Sequence, residues 1–320
     1  MLDYTKHPLN KRYDLDSALT SIWEFYKKWF GSLMLISFVF SLITSYLTGR
    51  INISEMYSVD EVDEMMAIVR SMIGPYLLII LFAFVFGLIL HYYVIRKPVD
   101  PDSNIFSIGT TGIVKFFLPL LVLNIMLAVF AVFAITFGIL LLFIGALFAT
   151  VYIVMIYAFI SPVLMIEDKG IGDTLTTTIR LAHKHFWPNM GWVSIFIIIL
   201  MVISFILGAI IMIPFGGSFI KTIINPENAS GLLDMTSRPS FIILNAIVNA
   251  LTMPLFPIFS LVLYFNSRSD NVGEVITDDS TGDDGNPVKI EDLYSDNSNR
   301  KKRLNKKDEA APPSVEDLTP

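Results

Sequence analysis

The chain has 320 residues, 54% of them hydrophobic and only 16% charged, with a mean hydropathy of +0.63. A soluble domain cannot hide so much apolar surface, so the composition selects a polytopic membrane protein. The net charge of −6 comes from acids gathered in the C-terminal tail and one loop, and the lack of cysteine excludes disulfides, thiolate catalysis and Cys-ligated metal centres.

The first stretch, Met1 to Tyr13, is polar and is followed by no small-residue cleavage site, so targeting falls to the first span. Next comes "DLDSALTSIWEFYKKWFGSL" (Asp14 to Leu33). Leu15, Ala18/Leu19, Ile22/Trp23, Tyr26, Trp29/Phe30 and Leu33 recur at helical spacing, and Ser17, Thr20, Ser21, Glu24, Lys27 and Lys28 face the other way. Aromatics and lysines at the membrane-proximal end suit a helix in the interface plane, with Trp23, Lys27, Lys28 and Trp29 as interfacial residues.

A crossing of ~30 Å needs about 20 apolar residues. Trp29 to Gly49 and Pro75 to Ile95 meet that condition. Between them, Ser58 to Gly74 predicts a short separate helix with capping-box spacing at Ser58 and Glu61. Its face of Val62, Met65/Met66, Val69 and Met72/Ile73 is expected on the bilayer or the bundle. Ile113 to Ile166 is too long for one crossing, so it predicts two spans with a tight turn near Thr136 to Gly138. Trp192 to Ile213 and Phe241 to Phe265 complete six spans, separated by an irregular Gly-, Pro- and Asn-rich loop over Pro214 to Ser240.

Six spans put both termini on one side. That side carries twelve basic residues: Lys6, Lys11, Arg12, Lys27, Lys28, Arg96, Lys97, Lys115, Lys169, Arg180, Lys184 and Arg268. The other carries four: Arg50, Arg70, Lys221 and Arg238. The bias predicts both termini in the cytoplasm.

Shifting the chain by 156 residues lays Leu19-Thr20 on Leu175-Thr176, Ser21 on Thr177, Lys28 on Lys184 and Phe30 on Phe186. The return spans end alike, with Tyr92/Tyr264, Tyr93/Phe265 and Arg96/Arg268. A parallel repeat over 14–97 and 170–269, with the third and fourth spans between, is one reading; chance identity is the other, since few positions match. In the second segment Leu175, Thr178/Ile179, Ala182 and His185/Phe186 form the apolar face, and Arg180, Lys184 and Trp187 join the interfacial set. Asp16 and Asp173 are expected to cap the two helices, and Pro188 to part the second from its span.

From Asp270 to Pro320 few apolar residues and blocks of charge predict a disordered cytoplasmic tail, whose "NRKKRLNKK" can meet anionic lipid. The expected fold is all-α: six transmembrane helices, two cytoplasmic interfacial helices and this tail.

Candidate chemistry is sparse. Glu167-Asp168 and His183/His185 are the acid–base suspects, but histidines two apart do not share a helix face. The alternative is that the acids end a span and the histidines belong to an interfacial helix. No catalytic, cofactor-binding or metal-binding residues are predicted. Asn124, Asn245 and Asn249 fall inside spans, where an amide needs a partner. They read either as interhelical glue or, with Pro254 and Pro257 freeing backbone carbonyls, as the lining of a polar cavity.

"FISPVLMIEDKGIGDTLTTTIRLAHKHFWPNMGWV" resembles a region of bacterial six-span proteins: the membrane domains associated with glycerophosphoryl diester phosphodiesterases and their stand-alone relatives. Pro162, Glu167, Gly170, Thr178, Leu181 and Phe186 fill the pattern's places, with Thr178 where serine is usual, and "LYFNSRS" (Leu263 to Ser269) resembles its close. The phosphodiesterase barrel and its His-Arg pair have no counterpart in this chain. The resemblance implies a bacterial inner-membrane protein that serves an enzyme or complex as a membrane partner. The expected role is therefore a non-enzymatic scaffold or accessory subunit that engages membrane lipid and a protein partner, not nucleic acid. A carrier for a lipid or small amphiphile is the alternative, and a membrane enzyme has least support.

Overall fold

The computed structural model describes residues 3–51, 61–141, 144–217 and 238–273. All regular structure among them is helical: α1 (Leu15–Lys28), α2 (Phe30–Gly49), α3 (Val62–Arg96), α4 (Ile105–Leu140), α5 (Ile144–Glu167), α6 (Ile171–Lys184), α7 (Phe186–Met212), α8 (Pro239–Thr252) and α9 (Leu255–Gly273), with short 3-10 turns at Tyr4–Lys6 and Ile213–Phe215. Six stretches are long and apolar enough to cross a membrane: α2, α3, α4, α5, α7 with its following turn, and α8–α9 taken together. The predicted tail beyond residue 273, the Ser58 half of the capping box and most of the 214–240 loop lie outside the described residues. The chain divides into a compact unit of Met1–Asp270 and a second of Asn271–Pro320.

Several boundaries differ from expectation, each for a physical reason. The predicted short helix before the second span is continuous with it in α3, Pro75 lying inside the helix, and Val62, Met65, Met66, Val69 and Ile73 stay exposed. The turn between α4 and α5 follows Leu140 instead of falling at Thr136 to Gly138. Gly138 marks a close crossing: a Cβ there would lie 2.6 Å from the Ala146 nitrogen, and one on Gly145 would lie 2.7 Å from the Gly138 carbonyl oxygen. Pro188 does not part α6 from α7. The break is at His185, and Pro188 sits in the first turn of α7, where a missing N–H costs nothing. The sixth span is broken at Met253 and Pro254, because proline cannot continue the ladder.

α1 and α6 are separate 14-residue helices, and a shift of 156 residues superposes both their first and last residues. Asp14, not Asp16, caps α1: its carboxylate accepts from the Ser17 nitrogen in a reciprocal capping box. Gly170 takes the cap position of α6 with no side-chain bond, and Asp173 stands in the first turn, where its charge suits the helix dipole.

Each amphipathic helix runs back along a spanning helix. Tyr13 and Tyr26, flanking and within α1, reach Asn266 and Leu251. His183, near the end of α6, meets Tyr152, while Lys169, just before it, meets Glu167. The core gathers where these helices meet the C-terminal parts of α3 and α5 and the first half of α9, around Tyr93, Ile95, Phe159, Leu164, Ile258 and Leu261. Elsewhere α3, α4, α5 and α7 expose apolar residues such as Leu77, Phe137, Leu147 and Phe205. That is the surface a hydrocarbon solvent accepts.

Candidate functional site

The acids that end α5 build a junction. Asp168 adopts φ +51°, a left-handed conformation aspartate tolerates better than most residues, and this reverses the chain into α6. The reversal leaves the Glu167 side chain only 7% exposed. Its Oε1 accepts from the Tyr264 hydroxyl at 2.9 Å and faces the Arg268 guanidinium at 3.2 Å. Its Oε2 faces the Lys169 ammonium at 2.5 Å. Lys169 donates onward to the Thr177 hydroxyl at 3.0 Å. Asp168 in turn pairs with Lys115 of α4 at 2.7 Å. Four helices, α4, α5, α6 and α9, are thereby joined through two adjacent carboxylates. Burying a carboxylate is costly unless it is paired and hydrogen-bonded, and Glu167 is both.

A second polar cluster closes the other end of α6. Asn189 is buried, its amide nitrogen donating to the Leu181 and Ala182 carbonyls at 3.2 and 3.3 Å, which satisfies the helix terminus. The Ser267 hydroxyl donates to Asn189 Oδ1 at 3.2 Å, tying α9 to the same point.

The polar N-terminal stretch is part of this end too. His7 is buried, stacked between Phe25 and Phe265 with ring centroids 6.0 and 5.4 Å away. Its Nε2 donates to the Val94 carbonyl at 3.2 Å, and its Nδ1 accepts from the Leu9 nitrogen at 3.2 Å, which specifies the neutral imidazole. Burial pushes its pKa down from 6.5 to about 4, against the opposing pull of the Val94 bond. The Tyr13 nitrogen donates to Asn266 Oδ1 at 2.9 Å.

Sequence reasoning singled out Glu167 and the pair Tyr264/Phe265. It missed His7, Asn189, Asn266 and Ser267, which follow no period and whose partners are remote in sequence. It also turned α6 by about one residue: the buried face is Thr174, Thr177, Thr178, Leu181 and Ala182, while Ile179 is exposed and Leu175 half-buried.

The intramembrane asparagines do not meet in one bonded cluster. Asn124 donates to the Leu120 carbonyl of its own helix at 3.0 Å. Asn245 donates to the Ser45 hydroxyl of α2 at 3.1 Å. Asn249 is half-buried. Of the interfacial set, Trp23, Lys27, Lys28, Arg180 and Trp187 are exposed and Trp29 and Lys184 half-buried. Lys27 lies 5.7 Å from the Trp23 ring and Lys28 5.8 Å from the Trp29 ring, both in cation–π range.

Of the two histidines suspected of chemistry, His183 is tied to local partners. His183 Nδ1 donates to the Ile179 carbonyl at 2.8 Å, and its ring packs beside Phe186 and Tyr152. No protein-family model, characterised protein or solved structure matches the chain.

Proposed function

We propose that this chain is a non-enzymatic scaffold or accessory subunit of a bacterial inner-membrane complex, with both termini in the cytoplasm. One observation carries the reading: the Glu167 junction and the Asn189–Ser267 bond fasten α6 to neighbouring spans at both its ends. The polar groups there serve to hold helices together. α1 is held likewise along α8–α9 through Tyr13 and Tyr26. What these fixed helices offer outward is aromatic and cationic, through Trp23, Lys27, Lys28, Arg180 and Trp187. Such a surface suits lipid headgroups and a protein partner docked beside them.

The proposal extends to kinship with the membrane domains that accompany glycerophosphoryl diester phosphodiesterases. Its support is that Pro162, Thr178 and Leu181, three positions of that pattern, are buried, and that Glu167 is the centre of the junction. The asparagine-lined carrier is the alternative, in which Asn124 and Asn245, bonded to different neighbours, would line one cavity.

The test is co-purification from native membranes in mild detergent, comparing the full chain with a Lys27→Glu/Lys28→Glu/Arg180→Glu variant of the same bundle. A stoichiometric protein partner, lost in the variant, supports the scaffold reading. Purification with lipid alone in both contradicts it.

A further inference from the structure

The break in the sixth span has a consequence on the α1 side. With the ladder interrupted at Met253 and Pro254, the Leu251 carbonyl accepts from the Tyr26 hydroxyl of α1 at 3.1 Å. Between α1, α7 and this break lies a groove of about 330 Å³, walled by Ile22, Trp23, Phe30, Phe196, Ile203 and Leu255 among others. Its size falls at the lower end of the ~300–1,000 Å³ typical of small-ligand sites. Two hydroxyls reach its wall, and both are already used: Tyr26 on Leu251, and Thr252 on the Val248 and Asn249 carbonyls of its own helix. The groove therefore asks for an apolar occupant.

Its surroundings decide which one. Apart from α1, its walls come from α2, α7 and α8–α9, which are all long and apolar enough to cross a membrane, so its apolar lining is continuous with surfaces suited to hydrocarbon. The α1 wall ends in cations. Trp23 is 55% exposed at the rim, and Lys27 stands over its ring at 5.7 Å, with Lys28 next in the chain.

We infer that this groove seats one acyl chain of an anionic phospholipid, with Lys27 and Lys28 holding its headgroup. The site is separate from the three asparagines, none of which lines it. It does not depend on the scaffold reading.

The experiment uses the full chain reconstituted in phosphatidylcholine vesicles that contain a small fraction of phosphatidylglycerol carrying a diazirine on its acyl chain. A phosphatidylcholine probe with the same chain serves in parallel. After photolysis, adducts are mapped by mass spectrometry. The expected result is labelling of the Phe196–Ile203 and Leu251–Leu255 walls roughly fivefold or more above the phosphatidylcholine probe, a ratio within reach of a single lysine beside an anionic headgroup. Lys27→Glu/Lys28→Glu brings the two probes level. Ile203→Trp, which fills the groove, lowers labelling of Leu251–Leu255 and leaves that of the lipid-facing Phe205 unchanged. Equal labelling of the unmodified chain by both probes overturns the inference without recourse to any variant. So does labelling confined to open residues such as Phe205 and Ile210, or a disulfide between two copies at Thr252→Cys.

Discussion

The Tyr264 hydroxyl donates to Glu167 Oε1 at 2.9 Å, joining the middle of α9 to the end of α5, 97 residues away in the chain. Removing that hydroxyl leaves a nearly buried carboxylate with one donor fewer. Tyr264→Phe is expected to destabilise the bundle by about 2 kcal/mol, as for other hydrogen bonds to charged groups. Glu167→Ala is expected to cost more, because it leaves Lys169 and Arg268 as neighbouring cations without their shared acid. Unfolding in mixed detergent micelles measures both. In the double variant the Tyr264 change should add almost nothing; independent, additive losses would mean the two residues are not coupled.

His7 predicts a pH dependence with a definite sign. Its folded value of about 4 lies below the ordinary 6.5, so the unfolded segment takes up the proton first as pH falls. Docking of the N-terminal stretch is then complete above about 6.5, weakens as pH falls towards about 4, and levels off below that. Hydrogen exchange at the Leu9 amide, which donates to His7 Nδ1, follows it directly. His7→Gln should lose the pH-dependent step while remaining less protected throughout. An identical step in the variant would assign the titration to another group.

The asparagines separate glue from cavity. Asn245→Leu removes the bond to Ser45 and should cost about 0.6–2 kcal/mol. Asn124→Leu removes only a bond to its own helix and should cost less. The comparison is made by the same micelle titration. Equal losses at the two positions would contradict the placement of Asn245 between helices.

Thr20 and Thr176 are exposed and coincide under the shift of 156 residues that also matches the bounds of α1 and α6. Single cysteines at both positions should resist an impermeant maleimide in intact cells and react after lysis. Asp63→Cys, at the start of α3, should react in intact cells. Opposite behaviour of Thr20→Cys and Thr176→Cys would refute a parallel repeat.

Much of the architecture was legible because it rests on local pattern. Six spans follow from length and hydropathy, and α1 and α6 from a 3.6-residue period. What period could not supply was the polar stitching. Asn189, Ser267, Asn266 and His7 are single polar residues, each given its role by a partner at least 78 residues away in one of its bonds. The face of α6 was misjudged for a related reason: hydropathy ranks threonine below leucine. The Thr177 hydroxyl, however, is satisfied by Lys169, and its methyl packs like an apolar group. Gly138, expected within the turn near Thr136 to Gly138, instead lets two helices touch.

The scaffold proposal stands on the outward face of α1 and α6. A photoreactive amino acid placed at Thr20 or at Arg180, both exposed, samples that face in native membranes without disturbing the Glu167 junction. The account predicts a discrete protein adduct of one mass from each position, abolished by Lys27→Glu/Lys28→Glu at Thr20. Photolysis that yields lipid adducts alone from both positions would contradict it.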